Sequence, residues 1–371
     1  MRAMESGGMP KVALKPDFRK VHERYEAWWA NASLGDRPIV TAREIRRAEA
    51  ASPPGADRPR NERELDPDWQ LANAEWSLAA TYRPAETLPV VWPDFANSLA
   101  IPAVFVGATL DYRAEATWVM EMLDVYEREL PDFSTEHPVF QSLNEALRRM
   151  GADFGDQALL TVPPLMDSVT TLSLLRGAER LCLDLFERPD DVKRVVRHLD
   201  RVALDAHAAF YKTVEEAGQG QTVTWADVYS PGKLEMLQCD FCVNISPAMF
   251  DEFVLPSLRT WSEYFDRGCY HLDGEEQYCF IDRFCSLSGI QSIQWQPGDV
   301  NRRPMRYLHY LEDIRRRGRA VWVMAFDTET PVEMTRAMGP DGLMFYLRDV
   351  QSIDEVDRMI ERLEGVCHGG A

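Results

Sequence analysis

The chain has 371 residues, 45% of them hydrophobic and 10% aromatic, and its 41 Lys+Arg against 60 Asp+Glu leave a net charge of −19. Such a composition excludes a disordered or collagen-like chain, and the length suits two ordinary domains or one large barrel. The excess of acid argues against nucleic acid as a partner, because phosphates are bound through Lys and Arg with release of counterions, and it disfavours polyanionic substrates.

Residues 1–16 contain Gly, Pro and Met without periodicity and are expected to fray. The stretch from Met1 to Pro10 lacks the basic and then apolar pattern of a secretory leader, and no apolar run approaches the roughly 18 residues of a membrane span. A cytoplasmic protein with no membrane association is therefore expected, with its seven cysteines reduced. Cys239 and Cys242 form a lone CxxC without a second CxxC or a paired His, which reads as buried thiols and not as a zinc ribbon. Residues 17–365 read as one domain and 366–371 as a flexible tail.

Short, nearly continuous apolar runs predict strands at Arg37–Thr41, Ala103–Gly107, Ala158–Val162, Gln221–Ala226, Cys269–Leu272, Ser292–Gln296, Ala320–Ala325 and Gly342–Tyr346. Continuous apolarity is what parallel strands covered on both faces require. Amphipathic stretches predict helices between them, among them Asp17–Ala32, Asp68–Thr81, Ala116–Arg128, Ser168–Leu181, Asp190–Val214, Pro247–Phe265 and Ile353–Leu363. Ser246-Pro247 supplies an N-cap followed by Pro at the first helical position. About eight strands that each return through helix predict an α/β fold, a single (β/α)8 TIM barrel with extra N-terminal helices. The rival is a doubly wound sheet, but no strand is followed by a Gly-rich phosphate loop.

Barrel active sites lie past the C-terminal ends of the strands, which directs attention to Asp111, Asp167, Asp227, His271 with Asp273, Gln294 with Gln296, Asp327, and Arg348 with Asp349. Within Cys269-Tyr-His271-Leu-Asp273-Gly274, strand alternation sends His271 and Asp273 to the same side. A neutral imidazole beside a carboxylate ligates a divalent metal or acts as an acid/base pair. Asp240, in the loop after the fourth predicted strand, is the third candidate ligand, so His271, Asp273 and Asp240 are the expected catalytic or metal-binding set. Asp167, Trp225, Tyr270, Gln294, Tyr346 and Arg348 are expected to contact substrate, Asp167 with an alternative role as a helix cap. The aromatic rings beside carboxylates suit a small cationic ligand.

The stretches Leu88-Pro-Val-Val-Trp92-Pro93, Leu175-Arg176-Gly177, Cys182 to Pro189, Ile245-Ser246-Pro247 to Pro256, Tyr270-His271-Leu-Asp273-Gly274 and Ile293-Gln294-Trp295-Gln-Pro297-Gly298 occur in that order over roughly residues 20–365. In that order they resemble the uroporphyrinogen decarboxylase superfamily, especially a branch with a YHLDG-type motif related to corrinoid methyltransferases. The resemblance implies the (β/α)8 barrel and one of two activities. The decarboxylases of the superfamily clamp carboxylates with an N-terminal arginine-rich segment, whereas here Tyr25 to Val40 holds Arg37 as its only basic residue. An authentic uroporphyrinogen decarboxylase is therefore not expected. The methyltransferases hold zinc with a His-x-Cys pair and a distant Cys. His271 matches the first ligand, Asp273 replaces the Cys, and Phe345-Tyr346-Leu347-Arg348 offers no distal thiol.

The expected function is methyl transfer between a small methylated substrate and a corrinoid or thiol acceptor. The alternative is a decarboxylase or other lyase on a small carboxylic acid, with metal assistance. Expected companions are zinc or another divalent metal, a corrinoid held by a partner protein, and a second copy of the chain in a homodimer.

Overall fold

The computed structural model of the protein describes residues 9–43, 45–47, 52, 54–55, 57–96, 100–113, 117–296 and 303–368. Its strands, in chain order, are β1 (Ile39–Thr41), β2 (Val90–Val91), β3 (Leu110–Tyr112), β4 (Thr117–Val119), β5 (Leu159–Leu160), β6 (Gln221–Val223), β7 (Tyr229–Pro231), β8 (Leu234–Leu237), β9 (Arg267–Asp273), β10 (Ile290–Gln296), β11 (Ala320–Ala325) and β12 (Leu343–Leu347). A six-stranded parallel sheet runs β1-β12-β11-β10-β9-β8, and β2 and β5 form a separate parallel pair. Two hydrogen bonds join further pieces to this frame. Glu86 N–H donates to Val40 O ahead of β2 at 3.0 Å, and Val223 N–H of β6 donates to Thr161 Oγ1 beside β5 at 3.2 Å. The architecture is α/β, a central parallel sheet flanked by helices with a TIM-barrel-like order of strands.

Alternation along the strands separates two cores. Tyr270, Leu272, Ile293, Val321 and Val323 pack with the helices, while Cys269, Trp322, Met324 and Met344 join the core on the other face of the sheet. The helix Phe18–Trp29 belongs to the second core, contributing Phe18, Val21, Tyr25 and Trp28. Its Glu26 forms a bidentate pair with Arg267 at 2.7 and 2.8 Å, at the start of β9 and away from Asp273 at its end. Beside this helix, buried Glu86 takes Arg37 through two contacts of 2.8 Å, Arg24 at 2.8 Å and Val40 N–H at 2.9 Å.

Four expectations about elements are corrected. Ala103–Gly107 is not a strand: Ile101–Phe105 is a helix with Pro102 in its first turn, buried on all sides, and the second strand is the two-residue β2. Ala116–Arg128 is not a helix, because Thr117-Trp118-Val119 extends and pairs antiparallel with β3, as β-branched and aromatic residues favour. The strand predicted over Gln221–Ala226 is shorter, Gln221–Val223, and pairs antiparallel with β7, while β8, which none of the expected strands covers, ends the six-stranded sheet. The helix predicted over Ser168–Leu181 breaks at Gly177, whose φ of +85° ends Ser168–Arg176 and begins Ala178–Glu187. A Cβ at that position would meet the Glu121 carboxylate at 2.7 Å.

The helix predicted over Pro247–Phe265 is interrupted by a π-turn at Phe250–Val254. Pro256 follows and has no N–H to return to the carbonyl four residues earlier, so the backbone widens there. At the N-terminus, Ala13 and Leu14 donate to Asp156 O and Gln157 O at 3.0 and 3.1 Å, so the end of the segment expected to fray is held. The last helix continues to His368, into the expected tail. Residues 1–8 and 369–371, and Pro297-Gly298 of the resembling stretches, lie outside the described residues. Among the described residues no helix is long and apolar enough to cross a membrane.

Candidate metal centre

β9 ends in His271-Leu272-Asp273, and Gly274 at φ +87° turns the chain out of the strand. His271 and Asp273 share a face by alternation. Asp240 opens a 3-10 turn, Asp240–Asn244, just past β8, the parallel neighbour of β9. Thr170 Oγ1 fixes that turn by accepting Asp240 N–H at 3.0 Å and Phe241 N–H at 3.4 Å. One ligand atom from each of Asp240, His271 and Asp273 lies within 4.8 Å of the others.

His271 is nearly buried, and its Nδ1 lies 2.5 Å from Gln294 Oε1, its register partner on β10. A carboxamide oxygen only accepts, so Nδ1 carries the proton and Nε2 keeps its lone pair. Trp225 stands edge-on to the imidazole, with centroids 5.2 Å apart at 81°. Burial pushes the Asp240 carboxyl up from its ordinary value; His271 opposes that shift and Asp273 adds to it. Asp240 Oδ1 is buried without a hydrogen-bond partner. Two acidic groups, one with an orphaned oxygen, beside an imidazole lone pair form a donor set that fits a divalent cation.

Replacing Gln294 by Leu removes the acceptor that sets the tautomer. Divalent metal affinity is expected to fall by about 10- to 100-fold, as for other outer-shell partners. Calorimetric titration of wild type and variant checks this, and equal affinities would show that Gln294 does not orient the ligand.

A cavity of about 490 Å³ opens beside the cluster, with Asp240, His271 and Gln238 on its wall. Trp92, Trp225, Val90, Val91 and Pro164 supply apolar surface, and Asn73, Ser77 and Asp94 supply further polar groups. Burial raises the Asp94 carboxyl above its ordinary value, Glu64 adds to the rise, and Arg60 and Arg63 oppose it. The backbone of Asp94 is clamped by Gln70, which accepts its N–H at 3.0 Å and donates to its carbonyl at 2.5 Å.

The remaining predicted site residues are distributed as follows. Trp225 lines the cavity, and Gln294 sits behind His271. Asp167 caps the helix Ser168–Arg176, accepting Val169 and Thr170 N–H at 3.0 and 2.9 Å, while its Oδ2 is buried without a partner. Burial pushes its carboxyl up to about 7. Tyr270 faces the helix layer, stacked on Phe284 at 3.7 Å and donating to Gln277 Oε1 at 3.1 Å. Tyr346 stacks on Trp322 at 5.5 Å in the second core, and Arg348 is exposed past β12. Of the other strand-end acids, Asp111 pairs with Arg113, Asp227 with Arg43, and Asp327 caps the helix Glu329–Met338.

Asn73 and Ser77 lie on the helix Pro67–Ala80, which a reading of strand ends does not reach, and the apolar run at Ala103–Gly107 places the second strand too late for Asp94 to read as a strand-end acid. The Trp92-Pro93-Asp94 stretch is the available signal. Arg37, the lone basic residue of the segment compared with the decarboxylase clamp, is locked onto Glu86. No family model and no curated protein matches the chain.

Proposed function

We propose that the protein is a divalent-metal-assisted lyase that decarboxylates an organic acid, built on a (β/α)8 barrel of the uroporphyrinogen decarboxylase kind. The observation that carries this reading is the Asp240, His271 and Asp273 group, two of whose members, Asp240 and His271, line the cavity. The barrel part is supported by the six parallel strands, the β2–β5 pair and the bonds that tie β1 towards β2 and β5 to β6.

His271 Nε2 and one oxygen each from Asp240 and Asp273 would hold the ion. This is a hard, oxygen-rich set suited to Mn²⁺, Mg²⁺, Fe²⁺ or Zn²⁺. When bound, the ion supplies positive charge that stabilises an oxyanion on the substrate. Two carboxylates and one divalent ion sum to zero, so an acid is not repelled and the preference for a cationic ligand disappears. Asp94, whose carboxyl is raised above its ordinary value by burial, is the proton donor of this reading. The C–C bond to the leaving carboxyl breaks, its electron pair is drawn onto a conjugated substrate oxygen as the oxyanion that the ion would stabilise, and the carbon takes the Asp94 proton as carbon dioxide departs. Solvent then reprotonates Asp94. Trp92, Trp225 and Pro164 cover that carbon against water.

Methyl transfer to a corrinoid or thiol acceptor rests on the resemblance alone. The thiolates it calls for are not part of this group, which holds two carboxylates and an imidazole.

The test is carbon dioxide release from a panel of hydroxy and keto acids by chelator-stripped protein resupplied with Mn²⁺ or Zn²⁺. Release is expected only with metal and is expected to vanish in Asp94→Asn. Metal-loaded protein that releases none from any acid, yet methylates cob(I)alamin from a methylated amine, would overturn the lyase reading.

A further inference from the structure

The cavity is lined by polar groups from several elements and by apolar surface. Asp240 and His271 stand on the β8 and β9 side, and Asn73 and Ser77 come from the helix Pro67–Ala80. Trp92 and Trp225 lie on the wall. Trp92, Trp225 and Pro164 also border a second void, of about 10 Å³, so the same three residues line both spaces.

That wall is set before any ligand arrives. The Arg43 guanidinium lies 4.9 Å from the Trp92 ring centroid and is itself paired with Asp227. Trp225 is held by its edge-on contact with His271, and its turn is closed by hydrogen bonds between Thr224 and both Asp227 and Val228. Fixed aromatic surface binds without the ordering cost of flexible side chains. A flat ring covers such a wall, whereas a short aliphatic chain leaves most of it wet.

Three protein donors leave positions open on a divalent ion, which a chelating pair of ligand oxygens fills. We propose that the cavity takes an aromatic hydroxy acid, its hydroxyl and carboxylate oxygens towards Asp240, His271 and Asp273 and its ring along the wall of Trp92 and Trp225. The proposal rests on the metal-centre reading and adds the substrate class.

The experiment is calorimetry on the full chain, first with Mn²⁺ alone and then, Mn²⁺-loaded, with mandelate, lactate and benzyltrimethylammonium. Mandelate and lactate share one chelating head and differ in phenyl against methyl. Mandelate is expected to bind at least about tenfold more tightly than lactate, the worth of one ring on an apolar aromatic surface. In Trp92→Leu the preference is expected to shrink to about threefold or less with Mn²⁺ affinity unchanged, and Trp225→Leu gives a second reading should the first fail to fold. Equal binding of the two acids, tighter binding of benzyltrimethylammonium, or no binding of either acid to Mn²⁺-loaded protein would overturn the proposal and leave the metal centre standing. Failure to bind Mn²⁺ at all would sink both.

Discussion

Asparagine in place of Asp240 is expected to abolish divalent metal binding and, at the same time, to raise the melting temperature of the metal-free protein. The two effects have one cause. In the absence of an ion, Asp240 presents a buried oxygen without a partner close to Asp273, and both burial and that neighbour disfavour its charged form. A group whose folded value is raised contributes stability that is complete below its unfolded value and is lost as pH rises through the folded one. The amide removes that loss, so the gain should grow from acid towards neutral pH. Alanine in place of His271 also weakens Mn²⁺ binding, by more than about 100-fold, since outer-shell partners alone are worth about 10- to 100-fold. Its metal-free melting point should fall, because Gln294 is left unpaired in a buried place at a cost of about 1–3 kcal/mol. Thermal melts with chelator and with Mn²⁺ separate these outcomes. Wild type at 100 times its dissociation constant gains about 2.7 kcal/mol; at the same concentration Asp240→Asn should gain none and His271→Ala less than about 0.4 kcal/mol. An undiminished Mn²⁺ shift in Asp240→Asn would remove Asp240 from the site.

Glutamine in place of Glu86 is expected to destabilise the protein by about 3–5 kcal/mol, the usual cost of breaking a buried ion pair by removing one partner. Arg24 and Arg37 both converge on this carboxylate, and both are almost fully buried, so neither recovers its charge compensation from water. Burial works to raise the Glu86 carboxyl, but Arg37, Arg24 and Val40 N–H outweigh it and hold the group below its ordinary value. A depressed carboxylate contributes stability that is complete above its unfolded value, about 4.3, and is lost as pH falls through the folded one. Urea unfolding at neutral pH and at pH 3 should therefore show a large wild-type to variant gap that narrows in acid. A gap that does not change with pH would mean that the pair contributes packing and not charge.

Periodicity reveals the later half of the sheet because those strands are long and continuously apolar; Ala320–Ala325 is an example. It fails at Ala103–Gly107, where an apolar run buried on every side looks the same in helix and strand. The true second strand, Val90–Val91, is two residues long between Pro89 and Trp92-Pro93, too short to show any period. That displacement hides Asp94, which follows β2 by three residues. The grouping of His271 with Asp273 is legible from alternation, and Asp240 from its place after a strand. The same alternation puts Tyr270 on the helix side, against its grouping with the substrate contacts. The Gln294 contact with His271 depends on the register of two strands distant in sequence, which no local pattern encodes.

The aromatic residues of the helix Phe18–Trp29 fill the second core at the Arg267 end of β9, while His271 and Asp273 stand at the other end of a seven-residue strand, about 20 Å long if measured end to end. The cavity that Trp92 and Asn73 help to line includes His271 on its wall and so lies towards that second end of the strand. Under the proposed lyase reading, a product held in that one cavity would compete directly with the next substrate.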